Sequence, residues 1–283
     1  MSTVPYVRRS AGTETRSAGP ETELPPVVVP SGEPLVSVIV PALNEARNLP
    51  YVLARLPEVD EVILVDGGSS DDTVGVARRL MPGIRVVTQN RRGKGNALAC
   101  GFAVATGDIL VMIDADGSTD PKEIPSFIAA LRGGADFAKG SRFRGSGGSA
   151  DITRLRRLGN KFLSILVNAL FRTRYSDLCY GYNAFWARHL DVFGLDSTTP
   201  APARGDGRLW GDGFEIETLL NLRAARAGLR IVEVASFEQA RIHGESNLNA
   251  MTDGVRVLRT IAREWPRRNR AHRARRRVAE RAR

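Results

Sequence analysis

Asp108-Ile-Leu-Val-Met-Ile-Asp-Ala-Asp-Gly-Ser118 is the stretch on which the reading of this chain turns. The apolar run from Ile109 to Ile113 suits a strand covered on both faces, and it stops on two carboxylates, Asp114 and Asp116, with Ala115 between them. In extended backbone, residues i and i+2 share a face. Both acids can then meet one hard divalent cation, Mg²⁺ or Mn²⁺, and such a cation can bridge a diphosphate. An isolated Asp-x-Asp is otherwise a solvated turn, so its neighbours decide.

Upstream, Val36-Ser-Val-Ile-Val40 and Glu61-Val-Ile-Leu-Val65 read as buried strands, and Ile84 to Thr88 as a third. Apolar residues at helical spacing predict helices over Glu45 to Leu56, from about Thr73 to Leu80, and from Lys94 to Ala105. Asp71 or Asp72 is placed to cap the second of these. Strands alternating with helices predict an α/β, Rossmann-like, mostly parallel sheet with helices on both faces and its chemistry at the carboxyl ends of the strands.

Each polar motif falls at such an end. Pro41-Ala-Leu-Asn-Glu45 follows the first strand and Asp66-Gly67 the second, so the two loops can frame a nucleotide base, with Asp66 bonding base or ribose or serving its own turn. Arg91-Arg-Gly-Lys-Gly-Asn96 joins cations to backbone donors at a helix start, which can hold phosphate; a solvated basic loop is the alternative. It lacks the glycine–lysine spacing of a Walker loop.

Downstream, the pattern predicts a helix over Pro121 to Leu131, a strand over Phe137 to Ser141 and a glycine loop over Gly145 to Ser149. An amphipathic helix follows over Arg154 to Phe171, its apolar stripe turned to core or membrane. Further elements are expected over Glu215 to Ala227 (helix), Arg230 to Val234 (strand) and Asn249 to Arg263 (helix).

The chain has 283 residues, 42% hydrophobic and 25% charged, enough for one large domain with loose ends. The divisions are a disordered arm over residues 1–34, a catalytic domain over 35–248, a helix over 249–266 and a basic tail over 267–283. Two cysteines, Cys100 and Cys179, without metal-ligand spacing fit reduced thiols and a cytoplasmic location. The first 34 residues have no apolar core of a secretory signal, and no apolar run reaches the ~18 residues that span a bilayer. The net charge of +10 is concentrated in the tail, where nine arginines from Arg267 to Arg283 face only Glu280. Such a tail suits peripheral contact with the anionic inner face of a membrane, or it is simply solvated. No nucleic-acid reading motif accompanies it.

Taken in order, Val36-Ser-Val-Ile-Val-Pro-Ala-Leu-Asn-Glu45, Val65-Asp-Gly-Gly-Ser-Ser-Asp-Asp-Thr73, Arg92-Gly-Lys-Gly-Asn-Ala97, Asp114-Ala-Asp116 and Gly140-Ser-Arg142 resemble the family 2 glycosyltransferases of GT-A fold. The resemblance is strongest to the polyprenol (dolichol) phosphate mannose synthase group and spans about residues 36 to 248. It implies a metal-dependent, inverting transfer of a hexose from a nucleotide-sugar, GDP-mannose or UDP-glucose, to polyprenyl phosphate. Two alternatives accompany it: a soluble or glycan hydroxyl acceptor, and a noncatalytic basic membrane-binding module.

Carried over by position, the resemblance implies donor contacts from Pro41, Ala42, Asn44, Glu45, Asp66 and Gly67, with Lys94 near the diphosphate. It implies metal ligation by Asp114 and Asp116, with Ala115 between them in the donor site and Ser118 as a third ligand. Ser141 and Arg142 fall where the family meets its acceptor. Arg241-Ile-His-Gly-Glu-Ser246 resembles an element that closes over the donor phosphates or the acceptor, through Arg241 and Ser246. Asp212 matches the catalytic aspartate of hydroxyl-acceptor members and is the candidate base, with Glu215 and Glu217 behind it, unless it caps the following helix. A phosphate-monoester acceptor, largely dianionic at neutral pH, needs no base.

Overall fold

The computed structural model describes residues 32–203, 207–244 and 252–266. Its elements are β1 (Val36–Ala42), α1 (Leu49–Leu53), β2 (Glu61–Asp66), α2 (Thr73–Leu80), β3 (Arg85–Thr88), α3 (Lys94–Val104) and β4 (Ile109–Met112). There follow α4 (Ile124–Arg132), β5 (Phe137–Ser141), β6 (Gly148–Ser149), α5 (Arg154–Phe171), β7 (Asn183–Trp186) and α6 (Leu190–Phe193). The remainder are α7 (Ile216–Ala227), β8 (Ile231–Ala235), β9 (Phe237–Glu238) and a helix, α8, over residues 252–266.

Among the described residues seven strands form one sheet in the order β3-β2-β1-β4-β7-β5-β8. Strands β3, β2, β1 and β4 run parallel, as do β5 and β8, and β7 lies antiparallel between β4 and β5. The fold is therefore the expected α/β sandwich of helices about a mostly parallel sheet. Alternation along each strand builds the two cores. Val38, Val40, Leu64 and Val111 pack with Leu49, Val52, Ile124 and Phe127 from α1 and α4. Ile39, Ile63, Leu110 and Met112 face the other way, onto Leu98, Phe193, Ile216 and Leu219 from α3, α6 and α7.

A third cluster joins Leu163, Val167 and Phe171 of α5 to Leu222 of α7 and to Val257 and Ile261 of α8. The carboxyl-terminal helix thus shares the core of the catalytic domain.

Three expectations change. The helix expected from Glu45 shrinks to Leu49–Leu53, because Asn44 takes a left-handed φ of 58° and the turn after it is held by hydrogen bonds to Ser69 and Thr73. The glycine loop over 145–149 contains β6, which pairs with β9 in a separate two-stranded ribbon. Strand β7 is absent from the sequence reading: its four residues, Asn183-Ala-Phe-Trp186, begin with a poor strand former and carry no alternation.

Candidate active site

The parallel register brings the polar loops together. Pro41 pairs with Val65 and Ala42 with Asp66, and Gly67 N donates to Ala42 O at 2.8 Å, so the ends of β1 and β2 lie side by side. Asp66 spends its carboxylate on its own turn, accepting from the amides of Gly68 and Ser69 at 3.1 and 3.2 Å. Asn44 Oδ1 accepts from Ser70 N at 2.8 Å, which ties the first loop to the second.

On the other side of β1, β4 delivers Asp114 and Asp116. Lys94 Nζ lies 2.6 Å from Asp114 Oδ1 and 2.7 Å from Glu217 Oε1. Arg241 Nη2 lies 2.7 Å from Asp116 Oδ2, and its Nη1 lies 3.2 Å from Glu45 Oε1. Asp116 Oδ1 accepts from Ser118 N at 2.9 Å. Burial alone would weaken the charge of Lys94, but the two carboxylates hold its pKa above the ordinary lysine value. Burial raises Glu217 and Glu45, against the pull of their cations.

The strand-end cluster thus holds four carboxylates and two cations, a formal excess of two negative charges. Among the described residues no three acidic, histidine or cysteine side chains gather into a metal cage. Two carboxylates at a strand end nevertheless fit Mg²⁺ or Mn²⁺ chemistry, because such ions keep waters and complete their shell with substrate phosphates. The surplus charge matches one divalent cation. Ser118 contributes its backbone to the loop, donating to Asp116 and accepting from Gln239 N at 2.8 Å.

The basic loop behaves differently from its sequence reading. The amides of Gly95 and Asn96 point at the carbonyl of Asp212, at 2.7 and 3.4 Å, and are spent on that contact. Glycine is required here for packing: a Cβ on Gly95 would stand 1.8 Å from Gly211 O. Gly95→Ala should cost about 1–3 kcal/mol by overpacking, read as a lowered Tm. An unchanged Tm would show that this close approach can relax freely.

Two candidate residues are engaged in buried ion pairs. Both oxygens of Asp212 are held by the buried guanidinium of Arg91, at 2.8 and 3.0 Å, and one also accepts from Leu209 N at 2.6 Å. Arg142 is engaged in the same way. Its guanidinium is buried, bonding Asp177 at 2.7 and 3.0 Å and Glu238 at 3.0 and 3.1 Å. Burial works against the charge of Asp177, but the bond from Arg142 and its positive charge carry the carboxyl below its usual value. Ser141 is occupied as well, with its hydroxyl 2.6 Å from that of Ser176. Glu215 accepts from Gly211 N and Gly213 N at 3.2 and 3.3 Å. Ser246 and the 267–283 tail lie outside the described residues, as does the arm up to residue 31.

A model of glycosyl transferase family 2 matches residues 37–193. The chain belongs to glycosyl transferase family 2. An uncharacterized glycosyltransferase of Mycobacterium tuberculosis is 33% identical over 219 residues, covering 77% of this chain and 92% of its own. The undecaprenyl-phosphate mannosyltransferase of Micrococcus luteus is 32% identical over 234 residues, 79% of this chain and 91% of that one. Among solved structures, glucosyl-3-phosphoglycerate synthase of Mycobacterium tuberculosis with Mn²⁺, UDP-glucose and glycerol 3-phosphate superimposes with a TM-score of 0.62 at 26% identity. It covers 83% of this chain and 81% of that one. This family 2 glycosyltransferase therefore has the GT-A architecture expected from its motifs, with its strand-end carboxylates at the carboxyl edge of the sheet.

Proposed function

We propose that this glycosyltransferase moves a hexose from a nucleoside-diphosphate sugar to the phosphate of a polyprenyl lipid, with Asp114 and Asp116 taking Mg²⁺ or Mn²⁺. The outward face of α5 carries the lipid part of this reading. Leu155, Leu158, Phe162 and Ile165 recur at helical spacing and are 62, 66, 60 and 59% exposed, although the opposite face of the same helix is packed into the core. Arg154, Arg156, Arg157 and Lys161 share that helix, and it contains no acidic residue. An apolar stripe flanked by cations suits the boundary of an anionic leaflet, where apolar area and charge add. Among the described residues no helix is long and apolar enough to cross a membrane, so the contact proposed is peripheral, on the cytoplasmic side.

The state of Asp212 supports the same acceptor class. A hydroxyl acceptor must lose a proton, and the residue best placed by sequence for that task is held by Arg91. A phosphate dianion needs no base: its oxygen forms a bond to the anomeric carbon as the bond to the nucleoside diphosphate breaks, and the electron pair leaves with the diphosphate. The metal, when bound, neutralises charge on that leaving group. Lys94 would hold the same phosphates, with Pro41, Ala42, Asn44, Asp66 and Gly67 framing the nucleoside and Arg241 closing on them. The mannosyltransferase of Micrococcus luteus points to a mannosyl donor and the UDP-glucose complex to a glucosyl one, so both are offered in the test.

Labelled GDP-mannose and UDP-glucose are supplied with Mg²⁺ or Mn²⁺, with and without polyprenyl phosphate in anionic vesicles. Label should enter the organic phase only with lipid and metal together. Leu158→Asp with Phe162→Asp should lower vesicle binding and lipid-dependent turnover by about a hundredfold or more, from the loss of ~1.5–3 kcal/mol at each of the two side chains. Label found only in water-soluble product would overturn the lipid acceptor and favour the hydroxyl alternative.

A further inference from the structure

We propose that Glu45 and Glu217 are positioning residues of the donor site: each holds the second side of a cation that faces an Asp114 or Asp116 carboxylate, and so keeps that carboxylate available to a divalent ion. This rests on the reading that Asp114 and Asp116 take the metal. The arrangement is the same twice over, built from unrelated parts of the chain. Lys94, at the start of α3, stands between Asp114 on the β4 end and Glu217 in the first turn of α7. Arg241, after β9, stands between Asp116 and Glu45 in the β1 loop.

Neither outer acid is a loose surface group. Glu217 is 8% exposed, and the space about it is closed so tightly that a Cβ on Gly181 would lie 2.3 Å from Glu217 Oε1 and 2.9 Å from Lys94 Nζ. Glu45 is further fixed by Asn48 Nδ2 at 2.5 Å. The outer acid offsets the cation's positive charge at the site and gives it a second partner. With the outer acid gone, the full charge of Lys94 or Arg241 falls on the aspartate and competes with an incoming divalent ion. With the outer acid present, the cation has somewhere to remain when the aspartate changes partner.

The test is Mn²⁺ binding to the full chain without donor or acceptor, followed by electron paramagnetic resonance of free Mn²⁺. Glu217→Gln and Glu45→Gln should each weaken Mn²⁺ binding by about tenfold. Adding Lys94→Gln to the first, and Arg241→Gln to the second, should restore affinity to within about threefold of wild type, because the local charge balance returns. A purely structural role predicts no such recovery. Single variants that bind Mn²⁺ like wild type, or double variants that do not recover, overturn the proposal. If at the same time Asp116→Ala abolishes Mn²⁺ binding, the metal site survives and only the positioning role falls. A wild-type chain that takes up no Mn²⁺ overturns both. Should Glu217→Gln lose its thermal transition, the Glu45 and Arg241 pair, on the rim of the site, decides alone.

Discussion

Asp116→Ala is expected to lower transfer from the nucleotide-sugar by about a thousandfold, the scale of losing one preorganised group that stabilises transition-state charge, while the protein stays folded. Asp116 follows the end of β4, and what its side chain holds is local: the amide of Ser118 and one side of Arg241. Arg241 keeps Glu45 as a partner after the substitution. The loop keeps its backbone bonds from Gln239 to Ser118 and from Ile242 to Asp116, which a change of side chain leaves in place. The stability cost should therefore stay near ~1 kcal/mol, the net value of an ordinary hydrogen bond. Turnover and thermal melting on the same preparation separate the two effects. Retained turnover would remove Asp116 from the chemistry, and a collapsed melting transition would give it a structural role instead.

The sheet was legible because its strands are short apolar runs that end on polar loops, and that pattern depends only on neighbours in sequence. β1, β2, β4 and β5 were read within a residue or two of where they lie, and α5 within its full extent. β7 escaped because it is a strand by virtue of two neighbours, β4 and β5, and not by its own residues. The site divides along the same line. Asp114 and Asp116 were readable from a two-residue spacing and the strand before it. Glu217, the second partner of Lys94, lies 123 residues away in α7, and Asp212, the partner of Arg91, lies 121 residues away, with no local signal to join them.

The glycine-rich helix entry shows how a motif can be recognised while its physics is mistaken. Cations and glycines before a helix suggested phosphate held on free amides. The fold uses the glycines to let α3 approach the backbone at residues 211–212, turns two amides onto Asp212 O, buries Arg91 and leaves Lys94 as the cation facing Asp114 beyond the end of β4. One motif thus positions the 209–213 segment and supplies the cation that pairs with Asp114 and Glu217.

That arrangement makes Asp212→Ala the second large effect, and it falls on stability. The Arg91 side chain is 1% exposed and that of Asp212 is 5% exposed, so the substitution leaves a guanidinium in the interior with no counter-charge from Asp212. Carbonyls of Asp196 and Thr199 still accept from it but do not replace the lost charge. Removing one partner of a buried pair costs about 3–5 kcal/mol. For a domain of this size that corresponds to a Tm lower by roughly 6–20 °C. Removing both, as Arg91→Ala with Asp212→Ala, should cost less than the sum of the single changes, since neither charge is left uncompensated. Turnover discriminates the roles. Asp212→Asn keeps an acceptor for Arg91 and, assayed below its melting transition, should retain turnover within about tenfold, whereas loss of a general base costs roughly 10²–10⁴-fold. A loss of that larger size, with Tm unchanged, would return Asp212 to the role of base and move the acceptor from a lipid phosphate to a hydroxyl.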